Sequence, residues 1–65
     1  MIITVNERSV EVDGRTTVAA LLESMGYPDR GVAVAVDSSL LPRSDWGAEL
    51  VDGARLEVVT AVQGG

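Results

Sequence analysis

The chain has 65 residues, of which 46% are apolar, and a formal net charge of −5; this composition indicates one small folded domain and excludes disorder. It contains neither Cys nor His, which excludes disulfides, thiol chemistry and the usual structural zinc sites. The acidic balance argues against nucleic acids and anionic membranes as partners, because both require a basic patch.

The sequence opens with the pattern of a β-hairpin. Apolar and polar side chains alternate over residues 3–5 and again over residues 10–12, which predicts two short strands. Residues 6–8 between them are few enough for a tight turn. Residues 13–15 form the next predicted turn, in which Gly14 tolerates a positive φ.

A helix is predicted next, because the apolar period changes from two to about 3.6 residues. Thr17 is the expected N-cap, since its hydroxyl can accept a first-turn N–H. Gly26 is the expected C′ residue, and Pro28 cannot continue the helix. The predicted helix therefore covers residues 18–25. Its core-facing stripe comprises Val18, Leu21, Leu22 and Met25.

Three strands and two turns are predicted after the helix. Residues 32–36 alternate Val with Ala, which indicates a strand buried on one side and lightly covered on the other. Residues 37–39 turn the chain into a short apolar run that a proline ends at residue 42. Residues 44–47 resemble a single capped turn closed by glycine, and residues 55–62 form the final strand. The side chains of this strand that share a face are Leu56, Val58, Thr60 and Val62.

This order of elements predicts an α+β fold of the β-grasp type. We expect a mixed sheet of four to five strands with one main helix packed across it, and with the first and last strands parallel at its centre. Residues 1–62 form the predicted domain. Residues 63–65 form a predicted flexible tail that ends in two glycines.

The tail carries the one group with a clear chemical use. The main-chain carboxylate of Gly65 is ionised at neutral pH, so it can attack the α-phosphate of ATP. Gly64 and Gly65 have no Cβ and can enter a narrow channel, and together with Gln63 they reach about 10 Å beyond the domain. Small residues also occur by chance at flexible chain ends, so a neutral interpretation stays open at this point.

Three segments identify a family: residues 17–22 (Thr-Val-Ala-Ala-Leu-Leu), 41–46 (Leu-Pro-Arg-Ser-Asp-Trp) and 62–65 (Val-Gln-Gly-Gly). With them, essentially the whole chain resembles the thiamine-biosynthesis sulfur carrier family (ThiS type), a branch of the ubiquitin-like β-grasp proteins. The Pro-Arg-x-x-Trp pattern is the most discriminating, since the molybdopterin synthase small subunit usually lacks it. Two turns differ: residues 37–39 read Asp-Ser-Ser where the family often has Asn-Gly, and Ala54 replaces a frequent acidic residue.

The resemblance implies a carrier protein with no catalytic residue, metal or cofactor of its own. In the family, an ATP-dependent adenylating enzyme activates the terminal glycine, which is Gly65 in this chain. A desulfurase or persulfide protein supplies sulfur that originates in cysteine, and the product is a thiocarboxylate. Thiazole synthase then takes the sulfur for the thiazole ring of thiamine. Gly64 and Gln63 are expected to lie in the partner's channel.

Other side chains have a structural as well as a functional interpretation. Trp46 is expected to cover the small core rather than to anchor a partner. Arg43 is a candidate for partner contact, although a solvated or locally paired arginine accounts for it as well. Glu11 and Asp13 are expected to lie on a solvated edge rather than in a metal site.

Other function classes stay open on the sequence alone. They are the molybdopterin synthase small subunit, a ubiquitin-like modifier joined to lysines of target proteins, and an interaction module in which the terminal glycines have no role. Residues 1–4 show no secretory signal, and the longest apolar run, residues 32–36, is far too short to span a membrane. We therefore expect a cytoplasmic protein.

Overall fold

The fold is a five-stranded mixed sheet with one helix packed against it, in a computed structural model that describes residues 1–60. In chain order the elements are β1 (Ile2–Val5), β2 (Arg8–Glu11), α1 (Val18–Ser24), β3 (Val32–Val36), β4 (Ser39–Leu41), a 3₁₀ turn (Arg43–Asp45) and β5 (Arg55–Thr60). The strand order is β2-β1-β5-β3-β4, and β1 runs parallel to β5 at the centre. These observations confirm the predicted α+β, β-grasp architecture.

Most of the predicted strands are observed within a residue or two of their expected bounds. The strand predicted for residues 32–36 matches β3. The final strand, predicted for residues 55–62, is observed as far as Thr60, and its last predicted residue, Val62, lies outside the described residues. By strand alternation Thr60 lies on the same face as Leu56 and Val58, but it is exposed because the core ends at Val58.

Both hairpins are closed by two-residue turns that contain no glycine. Asn6 and Glu7 have φ values of 49° and 69°, and Asp37 and Ser38 have φ values of 49° and 72°. Positive φ at both central positions is the type I′ turn, whose twist matches that of the flanking strands. Asn and Asp tolerate this backbone conformation better than most non-glycine residues. The second hairpin therefore keeps a tight turn without the Asn-Gly pair that the family often has.

Both early turns are observed, but the first is shorter than predicted. Arg8 is the first residue of β2, so the first turn contains two residues and not three. Gly14 does not have a positive φ. The turn that contains it is closed by a hydrogen bond from the Thr16 N–H to the Asp13 carbonyl, at 3.1 Å, which places no special demand on the glycine.

The turn predicted for residues 44–47 is a 3₁₀ turn that begins earlier, at Arg43. Pro42 precedes it with a φ of −61°, and the Pro42 carbonyl accepts a hydrogen bond from the Asp45 N–H at 2.8 Å. The glycine that ends the predicted segment does not have a positive φ, so it is not what closes the turn. Trp46 follows directly and is 7% exposed, so it covers the core as predicted.

The helix α1 begins and ends with the caps that the sequence predicts. The Thr17 hydroxyl accepts a hydrogen bond from the Ala20 N–H at 3.1 Å, which satisfies a first-turn donor. At the other end Gly26 has a φ of 84°. The Tyr27 N–H then bonds to the Leu22 carbonyl at 3.0 Å, which is the Schellman arrangement. The chain therefore turns sharply away after the last helical turn.

The core lies between α1 and one face of the sheet. Met25, predicted as the last residue of the helical stripe, is 42% exposed, because it is the C-cap of α1, where the chain turns away. Leu50 and Ala54 are buried although they lie outside any periodic element. The buried apolar residues are Ile3, Val5, Val18, Leu21, Leu22, Val34, Trp46, Leu50, Ala54, Leu56 and Val58.

No helix within residues 1–60 has the length and apolar character needed to cross a membrane.

Replacement of Leu21 by alanine tests the packing of the helix on the sheet. Leu21 is 1% exposed, so we expect Leu21→Ala to lower the free energy of unfolding by about 2–5 kcal/mol, a large part of the stability of a small domain. The measurement is the midpoint of urea unfolding. Leu40→Ala is the matched control, because Leu40 is 74% exposed. This variant should unfold near the parent's midpoint. Equal midpoints for Leu21→Ala and the parent would contradict this packing.

Candidate functional site

The predicted site begins at the carboxyl end of β5. Gln63, Gly64 and Gly65, the residues predicted to carry the chemistry, lie outside the described residues. The last described residue is Thr60, which pairs with Val32 of β3. The structure therefore describes the sheet as far as Thr60, and the predicted site residues come after this point in the chain.

The strand β5 has a different neighbour on each side near this end. On one side β3 pairs with it antiparallel up to its last described residue, from Val36 opposite Leu56 to Val32 opposite Thr60. On the other side the parallel pairing with β1 ends early, at Val5 opposite Leu56. The chain turns back after Val5 to form β2, so the main chain of β1 does not accompany β5 to its end.

The side chain of Asn6 takes over where β1 stops. The Asn6 N–H still donates to the Leu56 carbonyl at 2.9 Å. Beyond it, the Asn6 Oδ1 accepts from the Val58 N–H at 2.8 Å, and the Asn6 Nδ2 donates to the Val58 carbonyl at 3.1 Å. The carboxamide thus offers the donor and the acceptor that the main chain of a longer parallel strand would offer. Both polar groups of Val58 on this side are satisfied by one side chain.

A related arrangement holds the opposite end of β5. Asp37 occupies the first position of the second hairpin turn, and its Oδ1 accepts from the Arg55 N–H at 3.1 Å. The Asp37 N–H donates to the Arg55 carbonyl at 2.8 Å. Asp37 and Asn6 have the same φ of 49°. The two hairpin turns therefore each supply a side chain that binds the main chain of the central strand, one near its start and one near its end.

The sheet face opposite the helix carries an exposed apolar patch, which we call the open-face patch. It consists of Leu40, Ala35, Ala33 and Val59, which are neighbours because Leu40 pairs with Ala35 and Ala33 pairs with Val59. Their side chains point away from the core because side chains alternate along each strand. Leu40 is 74% exposed and Val59 is 64% exposed. Val59 immediately precedes Thr60, so the open-face patch reaches the end of the described part of β5.

Arg43, the predicted partner contact, is locally paired. Its guanidinium lies 5.2 Å from the centroid of the Trp46 ring, within the range of a cation–π contact, and it donates a hydrogen bond to the Asp29 carbonyl. Leu41 of β4 is level with Val34 and therefore with Val58. Arg43, two residues further on, thus follows β4 at the end of the sheet where β5 also ends. Its contact with a partner stays a prediction.

The acidic residues of the early turn, Glu11 and Asp13, are both exposed, as expected for a solvated edge. Across residues 1–60, Asp and Glu side chains form no group of three that could hold a metal ion.

Asn6 is the residue of the site region that sequence patterns miss. Asparagine at the first position of a two-residue turn is a signal for the turn, but not for a contact with a strand 52 residues away.

The chain is similar to known proteins over almost its whole length. A sequence profile described as the ThiS family matches residues 3–65. The sulfur carrier protein ThiS of Escherichia coli (strain K12) is 29% identical over 61 residues, which cover 92% of each chain. The crystal structure of the thiamine biosynthesis protein (ThiS) from Geobacter metallireducens has a TM-score of 0.80 at 26% identity, with 100% of both chains covered.

A more distant likeness concerns the fold alone. The crystal structure of SAMP1 from Haloferax volcanii has a TM-score of 0.60 at 20% identity, and the match covers 98% of this chain and 97% of that one. The profile match, by contrast, includes all three segments that carry the family resemblance. Because it extends over residues 3–65, the chain belongs to the ThiS family.

Proposed function

We propose that this chain is a sulfur carrier of thiamine biosynthesis and that the main-chain carboxyl group of Gly65 carries the sulfur. The observation that carries the proposal is the family match, which continues through residue 65 and so includes the terminal glycines. The composition supports it, because a chain without Cys has no thiol on which to hold transferable sulfur. Membership of the ThiS family favours this function over that of a molybdopterin synthase small subunit.

The proposed reaction has two steps, both catalysed by partner enzymes. A carboxylate oxygen of Gly65 attacks the α-phosphate of ATP, and pyrophosphate leaves, which gives an acyl-adenylate. In the second step the terminal sulfur of a persulfide on a desulfurase or persulfide protein attacks the acyl carbon and AMP leaves, which gives an acyl disulfide. A thiol, the reductant of this step, then attacks the donor's sulfur, so that a disulfide forms between thiol and donor and the sulfur stays on Gly65. The product is a thiocarboxylate, which thiazole synthase consumes. The chain is a co-substrate in this sequence, and because activation consumes ATP the proposed compartment is the cytoplasm.

The geometry of β5 supports a role in presenting the terminus. Residues 61–65 can extend at most about 17 Å past Thr60, so an enzyme that acts on Gly65 must also approach the end of the sheet. An enzyme at the end of the sheet would also meet the open-face patch, because Val59, which directly precedes Thr60, belongs to it. We propose that the adenylating enzyme binds the open-face patch while its active site receives Gly65. Arg43, at the same end of the sheet, is a second proposed contact.

Changes at the terminus test the site of sulfur transfer. Deletion of Gly65 draws the carboxylate back by about 3.5 Å, and misplacement by about 1 Å can cost about a hundredfold in rate. We therefore expect the deletion, and equally a C-terminal extension, to abolish thiocarboxylate formation nearly completely. Gly64→Ala should also lower conversion strongly if Gly64 enters a narrow channel. The measurement is intact mass after incubation with ATP, the adenylating enzyme and a sulfur source.

The parent chain is the control in this experiment and should exchange one oxygen atom for one sulfur atom. The variants should unfold at the parent's midpoint, since the buried core of the described residues ends at Val58. Equal conversion of the deleted or extended chain would contradict the proposal. Covalent adducts of the parent on lysines of other proteins would favour the modifier function instead, and activation only by a molybdopterin-type adenylating enzyme would favour the synthase subunit.

A charge on the open-face patch tests the proposed contact with the adenylating enzyme. We expect Leu40→Asp to raise the KM for the carrier about tenfold or more, the size of effect seen for a central interface residue, with little change in the unfolding midpoint. The measurement is carrier-dependent exchange of pyrophosphate into ATP. Ala20→Asp adds the same charge at an exposed position of α1 and should leave KM unchanged. Equal KM values for the two variants would show that the patch is not the contact.

A further inference from the structure

We propose that Asn6 is a positioning residue for adenylation: its carboxamide fixes the direction in which β5 leaves the sheet and therefore where Gly65 is presented. This inference rests on the proposed function, since it concerns delivery of the terminal carboxylate to a partner's active site. It is carried by the paired hydrogen bonds between the Asn6 carboxamide and both main-chain groups of Val58, at 2.8 and 3.1 Å.

The position of Val58 explains why this contact matters. Val58 lies two residues before Thr60, beyond the last parallel pair of β1 and β5, at Val5 and Leu56. Without the carboxamide, β5 would be held at this level by β3 alone. A strand that is bonded along one edge only can twist about that edge, and any rotation is amplified along the residues that follow. The Asn6 side chain removes this freedom two residues before the end of the described part of β5.

The chemistry of the contact requires a carboxamide. An aspartate at this position would still accept from the Val58 N–H, but its carboxylate cannot donate to the Val58 carbonyl. A glycine would adopt the φ of 49° more easily than Asn6 does and would make neither bond. Replacement by glycine therefore removes the contact without adding backbone strain, which separates the role of the side chain from that of the turn.

The protein contains its own control for this experiment. Asp37 has the same φ, the same place in a two-residue turn and a side-chain bond to the main chain of the same strand. Its bond is made to Arg55, at the start of β5 and far along the strand from Thr60. Asp37→Gly should therefore affect the stability of the sheet much as Asn6→Gly does, but not the direction in which β5 ends.

The test compares Asn6→Gly with Asp37→Gly in carrier-dependent pyrophosphate exchange. For Asn6→Gly we expect kcat to fall about tenfold to a hundredfold, with KM within about twofold of the parent because the β3 and β4 part of the open-face patch is untouched. For Asp37→Gly we expect both constants within about twofold of the parent. Amide hydrogen exchange, which needs no partner, should become about tenfold faster or more at Val58 in Asn6→Gly only.

Other outcomes overturn the inference. A kcat of Asn6→Gly equal to that of the parent, or equal losses in the two glycine variants, would mean that Asn6 acts on stability alone. If Asn6→Gly does not fold, Asn6→Asp decides the question: it keeps one of the two bonds, and its kcat should fall below that of the parent while Asp37→Gly stays unaffected. If the parent itself supports no exchange, the proposed function fails and this inference fails with it, whatever the result of hydrogen exchange at Val58.

Discussion

The parallel pairing of β1 with β5 is the interaction on which the rest of this structure depends. The two hairpins, β1–β2 and β3–β4, are local structures that each form through a two-residue turn. They become one sheet only because β5 inserts between them, parallel to β1 and antiparallel to β3. The cost of bringing together segments that are distant in the chain is then offset by the core that α1 covers. Loss of this pairing would separate the β1–β2 hairpin, which is marginally stable in water on its own, from the three strands β5, β3 and β4.

The same constraint bears on the proposed function, in which the chain presents Gly65 to partner enzymes. β5 occupies the centre of the sheet: β3 bonds one edge as far as Thr60, and β1 followed by the Asn6 side chain bonds the other edge as far as Val58. Asn6 and Asp37 extend this bonding beyond the main-chain ladders. Both occupy turn positions at which a residue other than glycine adopts a positive φ. In the proposed function, the body therefore supplies position and a contact surface, and the partner enzymes supply the nucleotide site and the sulfur.

Local patterns in the sequence predict much of the fold. The change of apolar period and the residues Thr17 and Gly26 define the helix and both its caps, because helix ends depend on neighbouring residues. The exposure of Met25 and the burial of Leu50 are not predictable in this way. Met25 continues the helical period but lies where the chain already turns, and Leu50 is buried by tertiary packing of an irregular segment. The bond between Asn6 and Val58 joins residues 52 positions apart, and no local pattern signals it.

The sequence predicts only part of the candidate site. Terminal glycines and a main-chain carboxylate are visible in the sequence, whereas the open-face patch depends on strand order, since β3 lies between the strands of Leu40 and Val59 in the sheet.

The most direct test of the account is to locate the transferred sulfur by fragmentation mass spectrometry of the parent chain after a complete sulfur-transfer reaction. The account predicts that the added sulfur is found only in fragments that contain Gly65. Sulfur in a fragment from residues 1–60, or none in the terminal fragment, would contradict it.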